Sequence, residues 1–297
     1  MSRCISSLGK LAVGDGYPVR VMGVINVSPE SFYKGSVAST PEDIVKRVIS
    51  IVEEGGDIID VGGMSTAPYL STHVPLEVEV ERVSMAVELV KDLVDVPISV
   101  DTFRAKVAEE ALKRGAEIVN DVTGLRGDPD MLKVLLDYGP SLIVCARVSS
   151  LGDLRDPVAL TVRSLRETLD ILESKGFDLQ RVVVDPCIGF HRFSEIPWYV
   201  WDLTILSRLN ELRALNRPIL VGLSRKSFIG AILSKERPED RLYGSLAYTV
   251  LAVLKGAHVI RTHDVAATKD VINAVEALKK LGIEFKVNYP GEFTEKS

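Results

Sequence analysis

Eight times along the 297-residue chain a short apolar run ends in a polar residue and gives way to a helical stretch. The runs end at Asn26, Asp60, Asp101, Asn120 with Asp121, Cys145, Asp185, Lys226, and Arg261 with His263. Strand followed by helix, repeated, builds a parallel sheet, and eight such units are what a closed (β/α)8 barrel requires. An open doubly wound sheet would instead need a switch in strand order, commonly with a GxGxxG turn after its first strand. That turn is absent here. We therefore expect a single α/β domain, a (β/α)8 TIM barrel, with its chemistry at the rim where the strands end.

The strands are placed at residues 20–25, 57–62, 97–101, 117–121, 141–146, 181–185, 218–222 and 257–261. Thr40-Pro41 opens the first helix, with Thr as the cap and Pro in the first turn, and Gly55-Gly56 stops it. Further helices are placed at about 75–94, from the third strand to Gly115, from Gly127 to Tyr138, at about 157–175 and at 266–281. Residues 1–19 read as a short N-terminal extension and 283–297 as a C-terminal tail of the same domain. No low-complexity segment or linker interrupts the chain.

No apolar run approaches the ~18 residues of a membrane span, so no membrane partner is expected. The first twenty residues are too weakly apolar for a signal peptide. A formal net charge of −5 argues against a dedicated nucleic-acid binder. The three cysteines, Cys4, Cys145 and Cys187, give neither a disulfide framework nor a CxxC metal spacing, and a reducing cytoplasm is the simplest reading. Cys145 and Cys187 are expected to be small buried packing residues near strand ends. Gln180 is the only glutamine and charged residues reach 26%, a tilt towards a thermophile.

Asp60, Asp101 and Asp185 each close an apolar run, where a half-buried carboxylate is costly unless paired. One such residue could simply cap the next helix. Three on one rim, together with Asn26 and Asn120, fit a flat, donor-rich ligand better. Beyond the seventh strand, residues 222–230 add hydroxyls and the cations Arg225 and Lys226; beyond the eighth, Arg261 and His263 add a cation and an imidazole. The loops after strands seven and eight commonly hold phosphate in this barrel, and Arg with Lys suits phosphate or pyrophosphate. HExxH, Cys/His metal clusters and GxSxG are all absent. His258, within a strand, reads as structural, His73 as incidental, and His191 as a loop residue able to reach the rim.

Residues 22–32 (MGVINVSPESF), 57–63 with Ser65 and Thr66, 99–102, Asn120-Asp121, Asp185-Pro186 with 188–190, 224–230, and Arg261 with His263-Asp264 resemble, in order, the signatures of the dihydropteroate synthase family. The resemblance implies a pterin-binding barrel, usually a homodimer. It implies condensation of 6-hydroxymethyl-7,8-dihydropterin diphosphate with p-aminobenzoate or a related arylamine, releasing pyrophosphate. By the same analogy Asp101, Asn120, Asp185 and Lys226 hold the pterin, with Lys226, Asp101 and Asp185 the catalytic set. Asn26, Arg261 and His263 hold the diphosphate, Asn26 also binding Mg2+, and Thr66 and Ser227 lie near the arylamine.

The chain departs from the family pattern in places. Met64, Ala67 and Tyr69 stand where Glu, Arg and Gly are usual, and Glu30, Tyr33 and Lys34 where Asp, Ser and Asp are preferred. Cys145-Ala-Arg147 replaces a common Met-His, and Cys187 replaces a glycine. The amine-side changes allow a larger arylamine. A pterin-dependent methyltransferase would share the barrel but needs no clamp for a diphosphate, and a non-catalytic pterin-binding paralogue would explain the missing loop arginine.

Overall fold

The first described residues fold back on themselves before the barrel begins. The computed structural model describes residues 3–28, 37–38, 40–65, 74–151, 155–193 and 195–282. Strands β1 (Ile5–Leu8) and β2 (Leu11–Gly14) form an antiparallel hairpin within the expected N-terminal extension. The eight barrel strands follow: β3 (Arg20–Asn26), β4 (Ile58–Gly62), β5 (Ile98–Asp101), β6 (Ile118–Asp121), β7 (Ser141–Cys145), β8 (Val182–Asp185), β9 (Leu220–Gly222) and β10 (Val259–Thr262). All pair in parallel, in the order β8-β7-β6-β5-β4-β3-β10-β9. A parallel bridge between Val184 and Ile219 joins the two end strands and brings the sheet round to a barrel. β9 is shorter than the run 218–222 because Pro218 has no N–H to give; its carbonyl instead accepts from Val184 N at 3.0 Å.

Helices α1 (Pro41–Glu53), α2 (Leu76–Leu93), α3 (Ala105–Lys113), α4 (Met131–Tyr138) and α5 (Pro157–Ser174) each follow one strand. Helix α6 (Trp198–Ser207) follows β8, α7 (Ser227–Leu233) and α8 (Leu242–Leu254) follow β9, and α9 (Val265–Lys280) follows β10. The expected start of α1 is present: Thr40 Oγ1 accepts from Asp43 N at 3.2 Å, with Pro41 in the first turn. Asp156 and Pro157 do the same for α5. Helix α4 stops at Gly139, which takes a left-handed conformation (φ +58).

Strand alternation divides the core into two clusters. Outward residues such as Val61, Val100, Val119 and Val144 pack under the helices. Inward residues Met22, Ile58, Ile118, Ile143, Val183, Leu220 and Val259 fill the barrel. Leu8 and Val13 of the hairpin join the inward set, so the hairpin plugs the barrel at the end opposite the strand tips. Ser6 Oγ donates to Val182 O at 2.8 Å and Gly9 N to Ser141 Oγ at 3.0 Å, anchoring the plug to the starts of β8 and β7. Among the described residues no helix is long and apolar enough to cross a membrane.

Candidate active site

Two residues beyond five of the filled inward positions, the same alternation delivers a polar or sulfur-bearing side chain to the barrel mouth. Ile58 is followed by Asp60, Ile118 by Asn120, Ile143 by Cys145, Val183 by Asp185 and Val259 by Arg261. Register aligns Asn26 with Gly62, Gly62 with Asp101, and Asp101 with Asn120 across four neighbouring strands. Gly62 keeps that row open: a Cβ there would sit 3.5 Å from Asn26 Oδ1 and 3.9 Å from Asp101 Oδ2. The structure thus brings Asn26, Asp101, Asn120, Asp185, Lys226, Arg261 and His263 to one end of the barrel. Thr66, Ala67 and His73, with Glu30, Tyr33, Lys34 and the tail from residue 283, lie outside the described residues.

Charge at the mouth is organised around Arg261. Its Nε donates to Asp60 Oδ2 at 2.6 Å and its Nη2 to Asp101 Oδ2 at 2.7 Å. Asn120 Nδ2 donates to the same Asp60 oxygen at 3.4 Å. Asp60 Oδ1 and Asp101 Oδ1 are buried with no hydrogen-bond partner among the described residues. A buried acceptor without a donor is costly, and a ligand bearing N–H groups would satisfy both oxygens. Burial pushes the Asp101 carboxyl up to about 7, against the pull of Arg261 and with help from Asp60. Burial also pushes Asp185 up to about 6, opposed by the Cys187 N–H that donates to its Oδ1 at 2.7 Å.

Lys226 precedes α7, its stem lying against Gly189 and its Nζ 4.2 Å above the centre of the Phe190 ring. A Cβ on Gly189 would come within 2.8 Å of Lys226 Cδ, so a glycine is required at that close approach. Burial lowers the lysine to about 8, opposed chiefly by Asp185. Its ammonium is therefore within reach of deprotonation in mildly alkaline solution. His263 is buried beside Arg261, and both influences hold its imidazole well below the ordinary value. It is a neutral ring, with Nδ1 3.0 Å from Ser224 Oγ.

Several sequence expectations are corrected. Arg225 does not face the mouth: its backbone is left-handed (φ +57) and its guanidinium is bound to Asp264 at 2.7 and 2.9 Å and to the carbonyls of Pro238 and Glu239. Of the two cations after β9 only Lys226 serves the site. His191 is a loop residue, as expected, but it is buried: it lies 5.2 Å from the Trp201 ring, its Nε2 accepts from Val148 N in the loop after β7 at 3.3 Å, and burial lowers it to about 4. Cys145 and Cys187 are buried, as expected, but they are not separate packing residues: they form a disulfide with Cα atoms 5.2 Å apart. Cys4 remains a free, buried thiol. His258 is structural, as expected, its Nδ1 accepting from Ile219 N at 3.0 Å.

Sequence reasoning also missed two residues. Asp202 on α6 is buried and accepts from Gly189 N at 2.8 Å, fixing the turn under Lys226. A lone acid in the apolar helix WYVWDLTILS was the available signal. Arg192 stacks 4.2 Å over Trp198 and donates to Ser227 Oγ at 3.0 Å, putting a cation beside the residue expected near the amine. Nothing local in the sequence marked it, since the pairing joins a loop to the first residue of α7, 35 residues away. Among the described residues no group of three or more His, Cys, Asp or Glu side chains could hold a metal ion.

Comparison with known proteins agrees with this geometry. A family model described as pterin binding enzyme matches residues 22–263. The dihydropteroate synthase of Synechocystis is 34% identical over 264 residues, covering 87% of this chain and 89% of that protein. The Escherichia coli dihydropteroate synthase is 37% identical over 265 residues, covering 86% and 90%. The Xanthomonas albilineans dihydropteroate synthase, solved with 4-aminobenzoic acid, superimposes with a TM-score of 0.83 at 35% identity, covering 94% of this chain and 99% of that one. With a matched span that runs from the first barrel strand to His263, this chain belongs to the pterin-binding enzymes and, within them, to the dihydropteroate synthase family.

Proposed function

We propose that this chain condenses 6-hydroxymethyl-7,8-dihydropterin diphosphate with p-aminobenzoate or a related arylamine, releasing pyrophosphate. The observation that carries the reading is the inward polar layer of Asp101, Asn120, Asp185, Lys226 and Arg261, set in a chain whose relatives are dihydropteroate synthases. A pterin is flat and rich in N–H donors, which the carboxylates of Asp101 and Asp185 and the Asn120 amide would pair with. Lys226, beyond β9 and beside Asp185, would add a donor.

In the reaction the amine nitrogen forms a bond to the exocyclic methylene while the carbon–oxygen bond to diphosphate breaks, and the amine gives up a proton. An arylamine is a weak nucleophile, so the site must favour departure of the leaving group and hold the amine close. Arg261 Nη1, which makes no hydrogen bond among the described residues, and the neutral His263 ring would receive the diphosphate oxygens. Ser227, with Arg192 beside it, would hold the amine's acidic end. Asn26 Oδ1, which points over Gly62 at the end of β3, is a hard oxygen of the kind Mg2+ takes and would be its ligand. The ion would neutralise charge on the departing diphosphate.

The reading includes a cytoplasmic homodimer. Exposed apolar residues on α6, α7 and α8 (Tyr199, Val200, Leu233 and Tyr243) support the second copy. The disulfide does not exclude a cytoplasmic location if the source is a thermophile, where intracellular disulfides occur.

The test is pyrophosphate release from the pterin diphosphate with Mg2+ and p-aminobenzoate. Release should require the amine, and Lys226→Ala should lower kcat/KM by roughly 100-fold or more. Release with another arylamine only would move the substrate assignment. Pterin binding with no release for any arylamine would refute a synthase.

A further inference from the structure

The Cys145–Cys187 disulfide lies in the wall of the pocket just described, and the mechanism does not use it. Cys145 closes β7, and register places it directly opposite Asp185 on β8. Ala146 N donates to Asp185 O at 2.9 Å, so the strands are already fastened at this level. The disulfide adds a second fastening two residues further on, at Cys187, across 42 residues of sequence.

Cys187 has a left-handed backbone, φ +64. For a residue with a Cβ this conformation is disfavoured, and it persists only where the surroundings impose it. Its consequences reach both pterin-facing groups. In this conformation Cys187 N donates to Asp185 Oδ1 at 2.7 Å. Its carbonyl accepts from Phe190 N at 3.2 Å, closing a tight turn. Within that turn, Gly189 abuts the Lys226 stem and the Phe190 ring underlies Lys226 Nζ. Asp202 ties the far part of the turn through Gly189 N, and only the disulfide makes a covalent tie at the near part.

We infer that the Cys145–Cys187 disulfide is a positioning element of the pterin pocket: it holds Cys187 left-handed, and through that residue aims the Asp185 carboxylate and seats Lys226. Pterin affinity is then sensitive to thiol redox state. Reduction by one dithiol, or by two monothiols of the glutathione class, breaks the Sγ–Sγ bond, leaves thiols at both cysteines and oxidises the reductant to its own disulfide. Cys187 then relaxes away from positive φ, and its N–H leaves Asp185. Glycine takes the left-handed conformation without strain, so it makes the cross-link unnecessary. The inference rests on the synthase reading of the site.

The experiment uses the full chain equilibrated with oxidised glutathione, then denatured and alkylated without reductant. Cys4 alone should be modified, and all three cysteines after reduction; three modified cysteines without reduction would overturn the proposal. Steady-state kinetics follow for the oxidised enzyme, the reduced enzyme, Cys145→Ser, and Cys145→Ser with Cys187→Gly. Reduction and the single variant should each raise KM for the pterin diphosphate roughly five- to tenfold, with kcat within about twofold. The double variant should return KM to the oxidised value and ignore reductant. If reduction and the single variant lower Tm but leave KM unchanged, the disulfide is a structural staple only and the proposal fails. Should Cys145→Ser not fold, the reductant titration of the wild-type chain still decides. An oxidised wild type that binds no pterin would refute the function assigned to the site.

Discussion

Asp185 shows at the residue scale how function is set against stability. Its carboxyl titrates at about 6 in the folded chain, against an ordinary value of 3.8. Between these values the unfolded chain loses the proton first, so folding stability falls as pH rises through about 4 to 6, and above about 6 the loss is complete. It amounts to about 3 kcal/mol. Asp185→Asn keeps the shape and the acceptor for Cys187 N but removes the charge. At pH 7.5 Tm should rise by roughly 4 °C, while kcat/KM falls by roughly 100-fold. At pH 4 the gain in Tm should vanish; an equal or lower Tm at pH 7.5 would contradict the assignment. Activity has two edges for related reasons. Protonation of Asp185 removes an acceptor below about 6, with Asp101 following from about 7, and Lys226 loses its charge above about 8. A plot of kcat/KM against pH should therefore be a narrow bell centred between 7 and 8 by the same values. The strand-end residues were legible in the sequence because alternation fixes which side of a strand they occupy. Arg225 was not, since a left-handed backbone turns it away, nor was the disulfide, which joins the end of β7 to the turn after β8, neighbours set by strand pairing across 42 residues of sequence.

Among the elements, the hairpin β1–β2 separates what local pattern reveals from what tertiary contact decides. The barrel strands announce themselves by continuous apolar runs, because both faces of a parallel sheet are buried. The hairpin sequence ISSLGKLAVG has no such run, and it reads as an extension. Its place is set by Leu8 and Val13, which complete the inward cluster with Met22, Ile58 and Ile118, residues far along the chain. In this fold the end opposite the strand tips serves stability, and chemistry is confined to the tips. Leu8→Ala should therefore cost about 2–4 kcal/mol of stability. It should leave kcat/KM for both substrates within about twofold at temperatures where the chain stays folded. Thermal melts paired with kinetics check this, and a large kinetic loss without a fall in Tm would mean that the plug communicates with the mouth. The same contrast explains α6, α7 and α8. Helix α6 is apolar nearly all round, so no amphipathic stripe marks where it begins or which side it buries.

For the molecule as a whole, the placement of the site and the placement of exposed apolar surface are separate. The described site residues come from the ends of β3 to β10 of one chain, so one copy holds a complete set of them. The apolar side chains left in solvent include Tyr199 and Val200 on α6, Leu233 on α7 and Tyr243 on α8, helices that pack on one another on one flank of the barrel. Leu281, at the end of α9, is 75% exposed, and Tyr243 on this flank is 83% exposed, against 39–45% for the other three; the tyrosine ring offers a large apolar face. The side chain is well suited to burial against a second copy, with its hydroxyl at the edge of the contact. Sedimentation of the wild-type chain should give twice the 32.5 kDa monomer mass. Tyr243→Lys would place a charge in the centre of a symmetric contact, where each copy meets the same charge on its partner, and should yield the monomer. Because each copy keeps its own Asp101, Asp185, Lys226 and Arg261, the monomer should retain kcat/KM within about threefold while its Tm falls and no longer depends on protein concentration. A variant that stays dimeric would place the contact on another face. A monomer that loses activity while remaining folded would show that the partner holds the loops over the substrates, and that the catalytic unit is the dimer.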